Sequence, residues 1–441
     1  MRCLILSRYG DGLDLAIDAK RDGHECRCWI QDPVRRKDIF EGLVEKVDDY
    51  KKARGWAEFI LIDANGFEKE WKEVLTWGVP VYGGSPEGHK MEKDRDYAHR
   101  LMEAAGMKAL KSDTYKTIEE AIKAIQGKKG LRVGKIVGGE ADSQDICIST
   151  YEDASDIIGV MERFADSGKK YDAVEVEERI IGIEMGCAGY FDGKDWSGPI
   201  ELNWQFKEAA AGWTGSNRGL GILCGESGTV LKYVTKENAF FKKSLELFTD
   251  HLRKSKYVGE FDLGGMTNAE GIWPIEFTPR FGYPDIFIRR ALALTPQMDF
   301  FHSLAAGKPI EYKSAPGWAI GFLAMAAGFP NQDAVELYSS GYLVQGYDEK
   351  NVNMHLQEVT KNKKGQIVVA KGCGYAACLS GRGDTIEAAR RNAHWLYAEA
   401  NPKRLSIQKS QIRADIGERV LDQKEEIIEL GLMTESEWEA S

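Results

Sequence analysis

GEFDLGGM at residues 259–266 and PIEFTPRFG at residues 274–282 are the two stretches that decide the fold. Both are apolar runs broken by single polar residues, which predicts two neighbouring β-strands. Asp262 and Glu276 would then face the same side. Mg²⁺ is commonly bound by one or two carboxylates while substrate phosphates fill other positions. Two ordinary surface charges are the alternative, but acids inside apolar strands with Arg280 close behind favour a metal pair.

The N-terminal region alternates strands and helices. Residues 3–7, 25–30 and 57–63 are apolar runs of the buried strand type, and residues 13–21 and 93–105 have helical spacing. This order predicts a small doubly wound sheet over residues 1–108.

The rest of the chain predicts three further domains of an α/β protein. Short strands and a helix, at 132–137, 154–167 and 173–178, indicate a small domain over residues 109–180. A larger mixed domain follows at 181–310, and a strand-rich domain with one amphipathic helix at 385–400 fills residues 311–441. Residues 434–440 are acidic and are predicted to form a solvated helix.

Composition limits the function classes. The 441 residues carry a net charge of −10, which excludes a general nucleic-acid or membrane-surface binder. No apolar stretch is long enough to span a membrane, and the N-terminal run meets Arg8 too early for a signal peptide. The eight cysteines lack zinc-type CxxC pairs, so reduced thiols in the cytoplasm are expected.

A nucleotide site is indicated by a strand end and two isolated cations. Residues 174–184 form a strand, a glycine turn and the acid Glu184, which could bind an adenine edge and ribose hydroxyls; solvated charges are the alternative. Lys135 lies inside an apolar strand, where it either reaches solvent or faces a phosphate. Arg95 begins a helix and would by itself be a solvated charge. No dinucleotide fingerprint, P-loop lysine or nucleophile elbow is present in the sequence.

Together these motifs resemble the phosphoribosylamine–glycine ligase family of the ATP-grasp class. Residues 84–106 are similar to the segment that enters the family's ATP-grasp domain, with Arg95 where the family has a phosphate-binding lysine. Lys135 matches the second phosphate lysine, and residues 176–184 match the hinge and ribose-binding acid. Residues 276–285 closely follow the family's metal strand and loop. Residues 317–330, 372–400 and 413–417 resemble its C-terminal elements.

The resemblance implies an ATP-grasp fold with an N-terminal Rossmann-like domain (1–108), a lid subdomain (109–180), a central domain (181–310) and a C-terminal domain (311–441). It implies ATP and Mg²⁺, with Mn²⁺ as an alternative, and an acyl phosphate displaced by an amine. The implied catalytic residues are Arg280 and Lys135. The implied cofactor-binding residues are Arg95, Lys135, Glu177, Glu178, Glu184 and Lys207. The implied substrate residues are Asp11, Asn217, Arg218, Arg280 and Asp285, and the implied metal ligands are Asp262, Glu276 and Thr278. Residues 138–143 would form a lid over the acyl phosphate.

Departures from the family pattern concentrate on the substrate side. Thr278 stands where the family has a metal-binding asparagine, so one ligand is weakened or moved to Asp262. Residues 140–143 replace phosphate-loop glycines, while 9–13, 63–66 and 217–221 differ in regions that face the amine substrate.

Three hypotheses follow. The first is a divergent ligase that joins a small acid to an amine other than phosphoribosylamine, acting as a monomer or homodimer on small-molecule substrates. The second is a true phosphoribosylamine–glycine ligase of purine synthesis. The third is a nucleotide-binding protein that has lost catalysis, which the retention of Lys135, Glu184, Asp262 and Glu276 disfavours.

Overall fold

The computed structural model describes residues 1–108, 110–138, 145–210, 220–398, 401 and 403–440, with the backbone alone at 210 and 220–222. Its strands are β1 Arg2–Ser7, β2 Glu25–Ile30, β3 Phe59–Ile62, β4 Val81–Tyr82, β5 Ser112–Tyr115, β6 Arg132–Val137, β7 Ile146–Ile148, β8 Ala173–Glu178, β9 Ile183–Asp192, β10 Trp196–Ala210, β11 Leu220–Val234, β12 Val258–Asn268, β13 Gly271–Thr278, β14 Trp318–Met325, β15 Val344–Gln345, β16 Met354–Leu356, β17 Val359–Lys361, β18 Ile367–Val369, β19 Tyr375–Gly383 and β20 Ser406–Ile407.

The α-helices follow the same chain order. They are α1 Asp14–Arg21, α2 Arg35–Asp38, α3 Glu68–Val74, α4 Pro86–Lys93, α5 Arg95–Ala104, α6 Ile118–Ile125, α7 Ser155–Asp166, α8 Ala239–Lys243, α9 Thr249–Ser255, α10 Asp285–Ile288, α11 Gln297–Ala305, α12 Gln332–Tyr338, α13 Ile386–Trp395, α14 Glu418–Asp422, α15 Lys424–Glu429 and α16 Glu435–Glu439. Within the described ranges, no helix is long and apolar enough to cross a membrane.

The N-terminal strands form a parallel sheet in the order β2-β1-β3-β4. Leu4, Ile5 and Leu6 on its central strand are fully buried. Helices and connecting segments cover both faces, as expected for a parallel sheet. The predicted doubly wound arrangement is therefore present.

A second sheet, in the order β5-β8-β6-β7, is antiparallel. Helices α6 and α7 cover one of its faces with a small apolar core that includes Ile125, Met161 and Phe164. The strands predicted at 132–137 and 173–178 have those bounds in the structure.

The largest sheet has eight strands in the order β13-β12-β9-β10-β11-β14-β19-β16. It begins in the central region and continues without interruption into the C-terminal region, because β14 pairs with β11 and then with β19. Two large aromatic side chains, Trp204 and Trp318, lie in contact within its core. The division into four domains stays a prediction, and the fold shows that the last two share one sheet.

The acidic C-terminal segment is helical, as α16, with largely exposed acidic residues and one buried residue, Trp438. Trp438 is buried against Trp318, with 4.7 Å between ring centroids, and Trp318 Nε1 donates to the Trp438 carbonyl at 3.3 Å. The Asn238 amide also donates to Glu437 at 3.1 Å. The predicted helix is present and its acidic residues are largely exposed, but the prediction missed that Trp438 supplies enough apolar surface to dock the helix on the protein.

Candidate active site

One face of the eight-stranded sheet carries polar residues around a pair of glycines, Gly186 and Gly264, which leave a patch without side chains. Residues paired directly across neighbouring strands point to the same face of a sheet. Asp262 is paired with Thr278, and Gly264 is paired with both Glu276 and Gly186. The two acids predicted from sequence, Asp262 and Glu276, therefore lie on one face. The glycines Gly264 on β12 and Gly186 on β9 lie on the same face.

Strand β10 completes this face from the other side. Gly186 is also paired with Asn203, and β10 alternates polar and apolar residues on either side of that position. Side chains two apart on a strand share a face. The polar set on β10 is Glu201, Asn203, Gln205 and Lys207.

A narrow cleft opens above this patch. It is lined by residues of four strands: Glu184, Met185, Gly186, Gln205, Lys207, Gly264, Gly265, Ile275 and Glu276. Three of the predicted nucleotide or metal residues, Glu184, Lys207 and Glu276, therefore share one cleft.

Lys207 connects two acids across the cleft. Its Nζ lies 3.2 Å from Glu276 Oε1 and 3.6 Å from Glu184 Oε1. The Glu276 carboxylate raises the pKa of Lys207, and Lys207 in turn lowers the pKa of Glu276. Both groups are consequently charged at neutral pH, one suited to a phosphate and the other to a metal ion.

Arg419 is a cleft residue that the sequence did not reveal. It comes from α14 in the C-terminal region, and its Nη1 lies 3.6 Å from Glu184 Oε2. Its Nη2 donates to the Gln205 carbonyl at 2.6 Å, while its guanidinium stacks over the Phe206 ring. The C-terminal region therefore helps to position the acid assigned to the ribose.

The two predicted phosphate-binding cations lie in the neighbouring sheet region, where both are paired with acids of β8. Lys135 Nζ lies 2.6 Å from Glu177 Oε2, and Arg95 forms an ion pair with Glu175 and lies 3.9 Å from Glu177 Oε1. Burial lowers the pKa of Lys135, and the Glu177 carboxylate opposes that shift. The Glu276 carboxylate also opposes the lowering of the Lys135 pKa.

Glu178 differs from its neighbour Glu177. Its side chain is exposed, whereas Glu177 is only 5% exposed and forms ion pairs. Both were predicted as hinge residues that bind the nucleotide. The structure brings Glu177 into the cation group, and the nucleotide role of both residues stays a prediction.

Asp262 has a deeply buried environment with other acids nearby. It accepts a hydrogen bond from Asn203 Nδ2 at 3.0 Å through Oδ2, while its Oδ1 has no hydrogen-bond partner among the described residues. Burial raises the pKa of Asp262 well above its ordinary value, and the Asp285 carboxylate raises it further. Burial likewise raises the pKa of Asp285 to about 7 and that of Glu226 well above its ordinary value. This excess of buried carboxylate oxygen suits a divalent cation, whose preferred ligands are oxygens.

A buried ion-pair triad supports the floor of the site. Arg289 Nε and Nη2 bind the Glu201 carboxylate at 2.5 Å and 2.9 Å, and Arg289 Nη1 also binds Glu260. All three side chains are almost fully buried. The other oxygen of Glu260 accepts from the Gly282 backbone N–H at 2.9 Å, which holds the loop carrying Arg280 and Asp285.

Arg280 faces the N-terminal domain. Its Nε lies 3.3 Å from Glu92 Oε2, and the same oxygen accepts from Asn65 Nδ2 at 2.6 Å. Asn65 belongs to a segment that differs from the family pattern. The predicted substrate arginine is therefore held by Glu92, and Asn65 of the rewritten segment 63–66 orients that carboxylate.

Asp11 lies in the same rewritten region. Burial raises the pKa of Asp11 to about 7, with the Asp63 and Glu358 carboxylates acting in the same direction. Asp63 holds the surrounding turn, because it accepts hydrogen bonds from the backbone N–H groups of Arg8 and Gly12 at 3.2 Å and 3.0 Å. Burial raises the pKa of Asp63 to about 6.

Some predicted residues lie outside the described part of the chain. These are the substrate residues Asn217 and Arg218 and most of the predicted lid at 138–143. Their roles stay predictions.

A second group of residues that could in principle bind a metal ion is held together by ion pairs instead. Asp14, Asp18 and His355 are buried with their ligand atoms close together, and they form the one such group of three found in the described chain. His355 Nδ1 lies 2.8 Å from Asp14 Oδ2, and Arg290 Nε lies 3.0 Å from Asp18 Oδ2. These contacts tie α1 to β16 and leave no role for a metal ion, since an arginine already neutralises Asp18.

The chain is similar to known proteins over much of its length. Residues 93–286 match the model of the phosphoribosylglycinamide synthetase ATP-grasp (A) domain. A phosphoribosylamine–glycine ligase from Lactococcus lactis is 25% identical over 352 residues, which is 78% of this chain and 79% of that one. The trifunctional purine biosynthetic protein adenosine-3 of Drosophila melanogaster is 24% identical over 297 residues, which are 63% of this chain. The matched region is only 20% of the length of that protein.

The fold comparison gives the same result. The crystal structure of phosphoribosylamine–glycine ligase from Thermotoga maritima superposes with a TM-score of 0.68 at 21% identity, covering 95% of this chain and all of that chain. The predicted ATP-grasp fold and the predicted resemblance to this ligase family are confirmed.

Proposed function

We propose, from the match of residues 93–286 to an ATP-grasp domain, that this chain is an ADP-forming ligase that joins a carboxylic acid to an amine. The observation that carries the proposal is the single sheet face on which Glu184, Lys207, Asp262 and Glu276 surround two glycines. Such a face offers a flat surface for a nucleotide, charged groups for its phosphates and carboxylates for Mg²⁺ or Mn²⁺. The relatives named as ligases support the same class of reaction.

ATP would lie between the two antiparallel sheets. Glu184 would accept hydrogen bonds from the ribose hydroxyls, and Lys207 would face the phosphates from the cleft floor. Lys135 and Arg95 would bind the phosphates from the other sheet after exchanging Glu177 and Glu175 for phosphate oxygens. This exchange is favourable because a phosphate carries more charge than a carboxylate and accepts several charge-assisted hydrogen bonds.

The metal ligands proposed from sequence are Asp262, Glu276 and Thr278. The unpartnered Asp262 oxygen and the exposed Glu276 carboxylate on the same face fit an oxygen-preferring ion. These residues would hold the ion, which would supply positive charge to offset the negative charge of the ATP phosphates. Because burial raises the pKa of Asp262, its carboxyl group ionises readily only with a cation beside it, which makes the site selective for a cation.

The reaction requires alignment more than covalent help from the protein. A carboxylate oxygen of the acid attacks the γ-phosphorus, the bond to the ADP oxygen breaks, and an acyl phosphate forms. The amine nitrogen then attacks the acyl carbon, inorganic phosphate leaves with the C–O electron pair, and the amine loses a proton. Arg280, at the sheet end that faces the N-terminal domain, would hold the carboxylate and then the acyl phosphate.

The amine is proposed to differ from phosphoribosylamine. Support comes from the region around Asp11, Asp63 and Asn65, where the chain departs from the family and holds two acids with raised pKa, the buried Asp63 and the half-buried Asp11. A phosphorylated amine would instead need uncompensated cations there. Phosphoribosylamine with glycine remains the second candidate, because relatives of this chain carry that name. Cytoplasmic location and a monomeric or dimeric state are part of the proposal.

The test is ADP release from Mg-ATP with a panel of small carboxylic and amino acids. Each acid is assayed with and without an amine, one of which is phosphoribosylamine generated in situ. ADP formed with glycine and phosphoribosylamine alone would identify the second candidate. ADP formed with another acid or amine supports the divergent ligase, and silence across the panel supports a nucleotide binder without catalysis.

The variant Glu276→Gln should abolish ADP release, because the amide keeps the shape and loses the charge that binds the metal ion. The matched control is Glu270→Gln on the turn between β12 and β13, where Glu270 pairs only at the surface with Lys108 at 3.3 Å. Full turnover by Glu276→Gln would contradict the metal assignment.

A further inference from the structure

The patch without side chains has a defined shape at Gly186. A Cβ atom added there would lie 2.4 Å from Asn203 Oδ1 and 3.1 Å from Asp262 Oδ1. Gly186 lies in the middle of β9 in extended backbone, so its lack of a side chain provides space rather than a turn. Two oxygen atoms from neighbouring strands therefore converge on one small volume.

Both oxygens are unpaired and buried. Asn203 is fully buried and Asp262 is 2% exposed, and neither Asn203 Oδ1 nor Asp262 Oδ1 has a hydrogen-bond partner within the described ranges. The orientation of Asn203 is fixed, because its Nδ2 donates to Asp262 Oδ2. Since the amide nitrogen is used in this way, the amide oxygen must point elsewhere, and it points to the space over Gly186. Buried acceptors without partners are unusual and indicate an absent donor or ion.

The ion would be a divalent cation. The Asp285 and Glu226 carboxylates lie close enough to act on each other or on Asp262, and each has an oxygen without a partner among the described groups. Carboxylate and amide oxygens together are the ligand set of Mg²⁺, Mn²⁺ and Ca²⁺.

We propose that Asn203 and Asp262 bind the metal ion of the active site over Gly186, and that Asn203 supplies the amide oxygen lost at Thr278. The proposal rests on the ATP-grasp function and specifies its metal site. Asp262 is paired with Thr278 on one side, and on the other side it accepts a hydrogen bond from Asn203, which lies diagonally across β9. The amide ligand has thus moved from β13 to β10, and the site lies over β9.

A purely structural role for Asn203 gives different predictions. If Asn203 only orients Asp262 by donating a hydrogen bond, then any residue that cannot donate weakens the site. If Asn203 also supplies an oxygen ligand, then Asn203→Asp retains ligation although it loses the donor. The substitution Asn203→Asp therefore separates the two roles.

The experiment measures Mn²⁺ binding by the electron paramagnetic resonance signal of free Mn²⁺, with and without a non-hydrolysable ATP analogue. Asn203→Ala should weaken Mn²⁺ binding at least about tenfold, a typical loss when one metal-site contact is removed. Asn203→Asp should bind Mn²⁺ within about threefold of wild type. Loss of binding in Asn203→Asp equal to that in Asn203→Ala would overturn the proposal.

A second pair of variants tests the space itself and does not add a charge. Gly186→Ala should abolish Mn²⁺ binding by filling the site, whereas Gly159→Ala, whose added Cβ meets no atom within 4 Å, should leave it unchanged. Equal binding in both variants, or no Mn²⁺ binding by the wild type with or without the analogue, would overturn the proposal. Metal binding is measured independently of ADP release, so a failed ligase assay and a failed metal site are distinguishable.

Discussion

Replacing Arg289 by methionine should destabilise the protein severely. Arg289 is 1% exposed and neutralises Glu201 and Glu260, which are 2% and 1% exposed. Methionine retains much of the side-chain volume but leaves two carboxylates buried without their cation. The loss therefore reports on charge compensation rather than on a cavity.

The expected magnitude follows from burial. Removing one partner of a buried ion pair typically costs about 3–5 kcal/mol, because the remaining charge is left uncompensated. Here one arginine serves two acids, so the upper end of that range is expected. The matched control is Arg390→Met, whose ion pair with Glu418 at 2.8 Å lies at the surface and should contribute about 0–1 kcal/mol.

The assay is urea unfolding followed by tryptophan fluorescence for both variants and the wild type. A third variant, Arg289→Met with Glu201→Gln and Glu260→Gln, removes all three charges and should recover most of the lost stability. The reasoning is refuted if Arg289→Met unfolds at the same urea concentration as Arg390→Met. It is also refuted if the triple variant is no more stable than the single one.

Three further outcomes are expected. Lys135→Met should raise the KM for ATP about tenfold or more, equivalent to the loss of roughly 1.4 kcal/mol of phosphate binding; an unchanged KM in steady-state ADP release would remove Lys135 from the site. Asp11→Asn should become more stable than the wild type as pH rises from 3.8 to 7, because the Asp11 carboxyl of the folded wild type resists ionisation over that interval. Above pH 7 the difference in stability should stay constant. Melting temperatures of the two proteins that change in parallel across this pH range would contradict the raised pKa of Asp11. Trp438→Ala should lower the stability by about 3–5 kcal/mol in urea unfolding, whereas a solvated C-terminal helix would show no loss.

Strands and their chemical faces were accessible from the sequence, because alternation of side chains is a local property. The bounds of β6 and β8 follow from local pattern, whereas the shared face of Asp262 and Glu276 also depends on the register of β12 against β13. The same two-residue period in Glu201, Asn203, Gln205 and Lys207 indicates a polar face on β10.

Contacts between distant segments could not be obtained in this way. Arg419 reaches Glu184 across more than two hundred residues, and nothing near Arg419 in the sequence distinguishes it from a surface arginine. Asn203 lies beside Asp262 only because β9 separates β10 from β12 in the sheet. Strand order and register decide both contacts, and they are set by packing of the whole sheet rather than by local pattern.

The continuity of the eight-stranded sheet has a practical consequence for dissecting the protein. The segment 93–286 that matches the ATP-grasp domain ends before β14, so cutting there would leave β11 as a bare edge strand with its backbone donors and acceptors unpaired. Such an edge recruits strands from other molecules. An excised fragment should therefore aggregate, and functional truncations of this chain must retain β14 and β19.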